Sequence, residues 1–192
     1  MTAQIVTFTA PASEPITLAE AKMHCRIDNA DEDELVIMLI ASVRQHAETI
    51  LRRQLITQTL DSYMDSFPDE IKIMPLQSVT SITYVDTNGD TQTLAADQYL
   101  VDATSQPARI SRAYNVDWPD TRVQNNAVKV RFVAGYGLPA AVPQCIKSWM
   151  LVRIATLFSN RQQIIIGPGG KIEIEAAFID SLLDSERVHE RT

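Results

Sequence analysis

The stretch from Asp31 to Gln54, DEDELVIMLIASVRQHAETILRRQ, constrains the fold more than any other part of the chain. Its apolar residues recur at helical spacing, which predicts a long central helix over residues 31–54. In the first half, apolar residues also fall between those positions, so this part of the helix is apolar on every side. A soluble helix of this kind must be covered on every side. Either its own domain or a neighbouring subunit provides that cover.

Capping signals and apolar stripes predict the helix starts, including those of two shorter helices beside the central one. Asp31 with Glu34 three residues later matches a capping box and marks the start of the central helix. Thr17-Leu-Ala-Glu20 is a second match and opens a helix over residues 17–26. An apolar stripe at helical spacing predicts a further helix over residues 143–163.

Residues 57–135 have a different character, since Thr, Val, Ile and Tyr become frequent and alternate with polar residues. This pattern predicts an antiparallel β-rich insertion in a helical core of residues 16–56 and 138–163. Asn88-Gly89 is a hairpin signal. Residues 1–15 are expected to form an extended arm. The predicted strands lie at residues 58–67, 71–74, 79–85, 91–94, 99–102, 109–112 and 128–134.

The predicted class is therefore α+β, with a helical bundle, a β-rich module and a C-terminal arm. Residues 1–163 form the main domain, and residues 164–192 form a flexible hinge with an arm. The hinge consists of Gly167, Gly169 and Gly170, because glycines lower local order. A short amphipathic helix follows. An isolated helix of this length is marginal in water, so the arm is expected to need a partner's surface.

Charge and cysteine content narrow the possible functions. The net charge is −7, which argues against tight non-specific binding to nucleic-acid phosphates. Cys25 and Cys145 have no metal-like spacing and are expected to be buried, reduced thiols. The sequence shows no signal peptide and no apolar run of the ~18 residues that a membrane span needs. We expect a cytosolic product without a membrane anchor.

The chain is poor in chemical motifs. His24, His46 and His189 stand alone, and His46 is expected at the surface. Gly169-Gly170-Lys171 resembles the end of a phosphate loop, but the loop's first glycine and its Ser or Thr are missing. Asp61 and Asp65 share a strand face, which we interpret as solvated rather than as a metal site. No enzymatic activity, metal or cofactor is expected.

Several stretches in a fixed order resemble a known family. They are ITLAEAKMHCRID, the acidic-capped central helix, LITQTL, SVTSITYVD with NGD, and AGYG followed by VP and a helix. Together they resemble the head–tail connector (adaptor or head-completion) proteins of long-tailed bacteriophages and gene transfer agents. The resemblance covers roughly residues 16–188. Its shorter members are almost purely helical, so the β-rich module would be an elaboration of a longer branch.

The resemblance implies a structural virion protein. Such proteins form a ring, usually taken to have twelve copies, beneath the portal protein at the capsid vertex. The ring extends the DNA channel, which DNA passes without sequence-specific binding, and completes the head after packaging. It also offers a docking surface to the stopper or tail-completion protein. The implied location is the head–tail junction of the virion, with the host cytoplasm during assembly and no membrane partner.

The resemblance also implies where contacts fall. The subunit interface comprises Leu35, Val36, Ile37, Ile40 and Arg44. The portal-contacting arm comprises Phe178, Leu182, Leu183 and Arg187. The alternative function is that of a DNA-packaging accessory or binding module outside the virion, which acts with the packaging motor and is absent from finished particles.

Overall fold

The computed structural model describes residues 4–68, 70–73, 76–105, 107–160, 165–167, 170–172 and 181–186. The chain divides into two compact units. The β-rich unit comprises Met1–Ala12 and Ile56–Tyr136, and the helical unit comprises Ser13–Leu55 and Gly137–Thr192. The mixed α+β class is confirmed, because three α-helices occur together with mostly antiparallel sheets in the described residues.

The strands of the β-rich unit form two antiparallel sheets. One sheet has five strands in the order β1-β2-β8-β4-β5, and the other has three in the order β3-β7-β6. Each of the seven predicted strands is found, with bounds that differ by a few residues. The strands are β1 (Gln4–Thr9), β2 (Gln58–Met64), β3 (Glu70–Ile73), β4 (Leu76–Val85), β5 (Thr91–Thr93), β6 (Tyr99–Asp102), β7 (Ala108–Arg112) and β8 (Val128–Ala134).

Strand β8 lies at the centre of the five-stranded sheet, and its alternating sequence VKVRFVA explains why. Val128, Val130, Phe132 and Ala134 are buried, whereas the residues between them are half-buried. The buried side chains pack with those of β2 and β4 on the same face, and with Ile71, Ala108 and Ile110 of the three-stranded sheet. One face of the larger sheet therefore belongs to the core of this unit.

The hairpin between β4 and β5 forms where the sequence predicts it. The Asp86 carboxylate accepts hydrogen bonds from the backbone N–H groups of Asn88 and Asp90. Gly89 has a φ of +98°, which glycine adopts at little steric cost. Gly135, which directly follows β8, has a φ of +124°. A Cβ there would lie 2.5 Å from the Ile56 carbonyl oxygen, so this position needs glycine.

The helical unit contains α1 (Leu18–Cys25), α2 (Asp33–Leu51) and α3 (Gln144–Ser159), each shorter than predicted. The capping box at Thr17 is confirmed, since Thr17 and Glu20 each accept the other's backbone N–H. The one predicted at Asp31 is wrong. Helix α2 begins two residues later, its N-cap Glu32 makes no side-chain cap bond, and Asp33 instead pairs with the Lys22 ammonium.

The core of the helical unit is apolar and draws on all three helices. Trp149 fills its centre as the largest fully buried side chain. Its buried apolar residues are Ile16, Ala21, Val36, Ile40, Val43, Ala47, Leu51, Leu55, Val142, Ile146, Trp149, Met150, Ile154 and Leu183. Within the described part of the chain, no helix has the length and apolarity to cross a membrane.

The predicted hinge contains regular structure in its described residues. Strands β9 (Ile165–Gly167) and β10 (Gly170–Ile172) pair in antiparallel fashion, with Gly167 opposite Gly170. A 3-10 helix follows at Ser181–Glu186. Gly169, Phe178 and Arg187 lie outside the described residues.

We expect Ile154→Ala to lower the free energy of unfolding by about 2–5 kcal/mol, because it removes a fully buried side chain from a packed core. Leu157→Ala, three residues on in the same helix, is the matched control, since Leu157 is 44% exposed. Its cost should stay below about 1 kcal/mol. Chemical denaturation measures both. Equal losses in the two variants would contradict the assignment of the buried face of α3.

Candidate functional site

The outer face of α2 carries apolar side chains that its own unit leaves uncovered. Ile37 is 53% exposed and Met38 is 58% exposed, whereas Val36 and Ile40 on the opposite face are buried. Leu35 is half-buried. The first half of α2, which the sequence shows to be apolar on every side, therefore has two different faces. One packs in the core of the unit, and the other is exposed. Of the predicted interface set, Ile37 is the residue with the most exposed apolar surface.

Arg44, another member of that predicted set, is placed inside the helical unit. Its side chain is 9% exposed and lies between two carboxylates, with Nε 2.7 Å from Glu14 and Nη1 2.8 Å from Glu48. Glu48 also accepts the Leu55 backbone N–H. Burial raises the pKa of Glu48, and the bonds from Leu55 and Arg44 counteract that rise. The charges of Arg44, Glu14 and Glu48 pair with one another within the helical unit. These contacts hold Glu14 and Leu55 against α2.

The C-terminal 3-10 helix lies on its own unit. Leu183 is fully buried there, and the helix contacts α3. Leu182 next to it is 41% exposed. The expectation that the arm needs a partner's surface is therefore wrong for residues 181–186. Sequence reasoning missed this contact because one leucine in a short amphipathic segment does not show which surface it meets.

The face of the five-stranded sheet that points away from the apolar core of the unit carries a charged pair. The Arg131 guanidinium binds the Asp61 carboxylate with two bonds of 2.7 Å. Asp61 is buried, so the interpretation of this aspartate as solvated is wrong. Asp65 is exposed and accepts the Asn126 backbone N–H. The hydrogen bonds from Arg131 hold the pKa of Asp61 below its ordinary value.

Strand β1 lies beside this pair at one edge of the sheet. The Phe8 ring lies under Arg131, with 3.5 Å between the ring centroid and the guanidinium carbon. All six residues of β1 are nevertheless exposed, and these include Ile5, Val6 and Phe8. The predicted extended arm is thus a paired edge strand with uncovered apolar side chains.

The candidate His and Cys residues of the sequence, and Asp102, lie in ordinary structural surroundings. His46 is exposed and stacks on Trp149, with ring centroids 5.8 Å apart. Cys25 and Cys145 are half-buried rather than buried, and partial burial raises the pKa of the Cys25 thiol. Hydrogen bonds within a turn lower the pKa of Asp102. In the described part of the chain, no group of His, Cys, Asp and Glu is arranged to hold a metal ion.

These features define a mixed α+β protein with exposed apolar surfaces and no reactive cluster among its described residues. The model of the phage gp6-like head-tail connector protein family matches residues 15–111, slightly more than half of the chain. The chain belongs to this family. Its class is that of structural virion proteins. No curated protein sequence shows a significant match.

Solved structures share the fold over almost the whole length. A chain in the neck of an empty GTA particle, computed with C6 symmetry, has a TM-score of 0.80 at 18% identity. A chain of the virion of a native gene transfer agent (GTA) particle has a TM-score of 0.78 at 18% identity. A chain in the neck of a native GTA particle, computed with C12 symmetry, has 0.71 at 19% identity. Each likeness covers 98% of this chain and 97% of the other.

We expect Leu183→Ala to destabilise the protein by about 2–5 kcal/mol, because the leucine is fully buried against its own unit. Leu182→Ala is the neighbouring control and should cost less than about 1 kcal/mol. Denaturant midpoints of the full-length variants provide the measurement. If Leu183→Ala were as stable as the wild type, the 3-10 helix would not be docked in the free protein.

The Asp61–Arg131 pair predicts a pH dependence. Because the folded-state pKa of Asp61 is lowered, its stabilising contribution is present above the ordinary value near 3.8. It is lost as the pH falls through the lowered pKa. Asp61→Asn should therefore lower Tm at pH 7, and its deficit should shrink as the pH falls below about 4. Asp120→Asn, at an exposed loop position, is the control for a lost charge. A deficit that stays constant with pH would exclude this role for the pair.

Proposed function

We propose that this protein is a subunit of an oligomeric ring at the head–tail junction of a virion. In this proposal, the ring lies between the portal protein and the stopper or tail-completion protein. Membership of the head–tail connector family supports this assignment. Chains of the same fold occur in GTA necks computed with C6 and C12 symmetry, which supports a cyclic arrangement. Twelve copies are the proposed stoichiometry.

The exposed apolar face of α2 is the observation that carries the ring. Ile37 and Met38 are consecutive residues of α2 and are each more than half exposed. Exposed apolar side chains that adjoin one another mark protein interaction sites more often than scattered ones do. A neighbouring copy that covers this face would bury it without disturbing Val36 or Ile40, which already lie in the core.

The acidic character of the chain suits a ring around DNA. The net charge is −7, whereas tight binding to phosphates needs clustered Lys and Arg. Arg131 of β8 is bound to the Asp61 carboxylate with two hydrogen bonds, so its charge is already paired. We propose that DNA passes through the ring without sequence-specific binding, and that the ring completes the head after packaging.

A portal contact through the C-terminal arm is part of the proposal. Leu182 is the described arm residue that offers an exposed apolar side chain. Phe178 and Arg187, which the family resemblance assigns to the same contact, lie outside the described residues. Because Leu183 is buried in its own unit, it would support the arm rather than touch the portal protein.

We expect Ile37→Asp to leave the free protein folded, because the side chain is exposed, but to block incorporation into particles. The charge would be trapped in the subunit interface without a partner. Gln45→Asp, two turns further along α2 at an exposed position, is the control and should be incorporated normally. The measurements are the Tm of the free variants and immunoblots of purified particles.

The same experiment tests the function. Wild-type protein should be present in finished particles at low copy number, and electron microscopy of labelled particles should place it at the neck. Its absence from finished particles would favour a packaging accessory. Unfolding of free Ile37→Asp would show that Ile37 belongs to the core, and normal incorporation would exclude it from the ring interface.

A further inference from the structure

Among the described strands, the five-stranded sheet has unpaired backbone at both of its edges. At one edge, β1 pairs with β2, and no other described strand pairs with its outer side. At the other edge, β5 pairs with β4 only at Thr83–Val85, and the Leu94 N–H binds the Ile82 carbonyl. Residues 76–81 of β4 therefore have β8 on one side and no described strand on the other. Each open edge is six residues long.

The two open edges lack the charged and proline residues that often keep edge strands from associating. Proteins usually protect an edge strand with charges or proline. The open edges here read QIVTFT and LQSVTS, with neither. The edge strands of the three-stranded sheet are β3 and β6, and they carry Glu70, Lys72 and Asp102. Charged residues thus occur in the edge strands of one sheet and not in the open edges of the other, where β-bulges interrupt the pairing of β1 and β4 instead.

Strand direction makes the two edges complementary. Each neighbouring pair in the order β1-β2-β8-β4 is antiparallel, so β1 runs opposite to β4. If a second copy is placed beside the first with its sheet in the same orientation, its β1 is antiparallel to the open half of β4. It would lie in line with β5, which is also antiparallel to β4. A ring needs this kind of contact, in which two different surfaces of one subunit meet.

Contacts within its own subunit hold strand β1 in an extended, paired conformation. It pairs with β2 from Gln4 to Thr9, and Arg131, which Asp61 fixes with two bonds, lies over the Phe8 ring. A guanidinium over an aromatic face is an attractive contact. The strand is therefore ordered before a partner arrives, and pairing loses less conformational entropy than ordering a free segment would.

We propose that β1 of one copy adds to residues 76–81 of β4 in the next copy, so that neighbouring sheets join edge to edge. The occupant of each open edge is a second copy of this chain. Backbone hydrogen bonds would supply much of the affinity, as in other cases of strand addition. Because neither edge is charged, copies of an acidic chain can meet there without direct repulsion. The proposal rests on the proposed ring, and it names the surfaces that would form one of its contacts.

Cysteine crosslinking in assembled particles tests this pairing. Val6 and Ser78 are both exposed and lie on the same face of the sheet, since Val6 is opposite Asp61, Asp61 opposite Arg131, and Ser78 opposite Val133. The double variant Val6→Cys/Ser78→Cys is made with Cys25→Ala and Cys145→Ala. A short flexible bis-maleimide is used, because the bulges of β4 at residues 76–81 leave the register between copies open.

The expected result is a ladder of multimers that extends beyond the dimer. Either single cysteine variant should give no multimer, because each subunit then offers only one of the two edges. Val6→Cys/Leu100→Cys is the matched control and should also give none, since Leu100 is exposed on β6 of the other sheet. Free protein melted without crosslinker verifies the fold of each variant.

The other outcomes each overturn the proposal. Dimers from Val6→Cys alone would show that β1 meets a second β1. Multimers from the Leu100 control would show that the crosslinks do not depend on the β4 edge. Protein that is present in particles but gives no ladder would exclude edge pairing and leave the connector function intact. Protein that is absent from particles would refute the connector function and the pairing together.

Discussion

The two-sided pairing of β8 is the constraint on which the rest of the β-rich unit depends. Its alternating sequence turns Val128, Val130 and Phe132 towards the core, while its backbone binds β2 on one side and β4 on the other. Fixing β8 at the centre leaves β1 and β5 as the outer strands. A sheet built in this way ends in two different edges, and a cyclic ring of more than two copies requires two different surfaces on each subunit.

Local sequence patterns predicted the elements of this fold better than their partners. The capping box of Thr17, the Asn88-Gly89 turn and the alternation of β8 are short-range signals, and all three are found. Strand β1 was predicted only as an extended arm. Its pairing joins residues fifty or more positions apart, and a short strand with no buried residue does not show in the sequence which strand it will pair with. The buried state of Asp61 was missed for the same reason, because it depends on Arg131.

The candidate site was predicted less well than the fold. Apolar periodicity predicted α2 correctly, but it could not show which apolar face of this helix packs in the core of its own unit. The structure separates buried Val36 and Ile40 from exposed Ile37 and Met38. Arg44 illustrates the limit most clearly, since the family resemblance implied a place in the subunit interface, whereas its side chain pairs with two carboxylates of its own unit. Its two carboxylate partners include Glu14, thirty residues earlier in the sequence, which no helical pattern could indicate.

The distribution of charge connects these observations. Three charged side chains with little exposure, Arg44, Glu48 and Asp61, have partners within their own unit. The surfaces that we assign to neighbouring copies, namely the outer face of α2 and the two sheet edges, are apolar or uncharged at the residues that carry the argument. Ion pairs at an exposed interface are screened by salt and contribute little, whereas apolar burial and backbone pairing are much less sensitive to ionic strength. In the ring that we propose, an acidic chain gains from this division, because the charges of identical copies need not face one another across the contact.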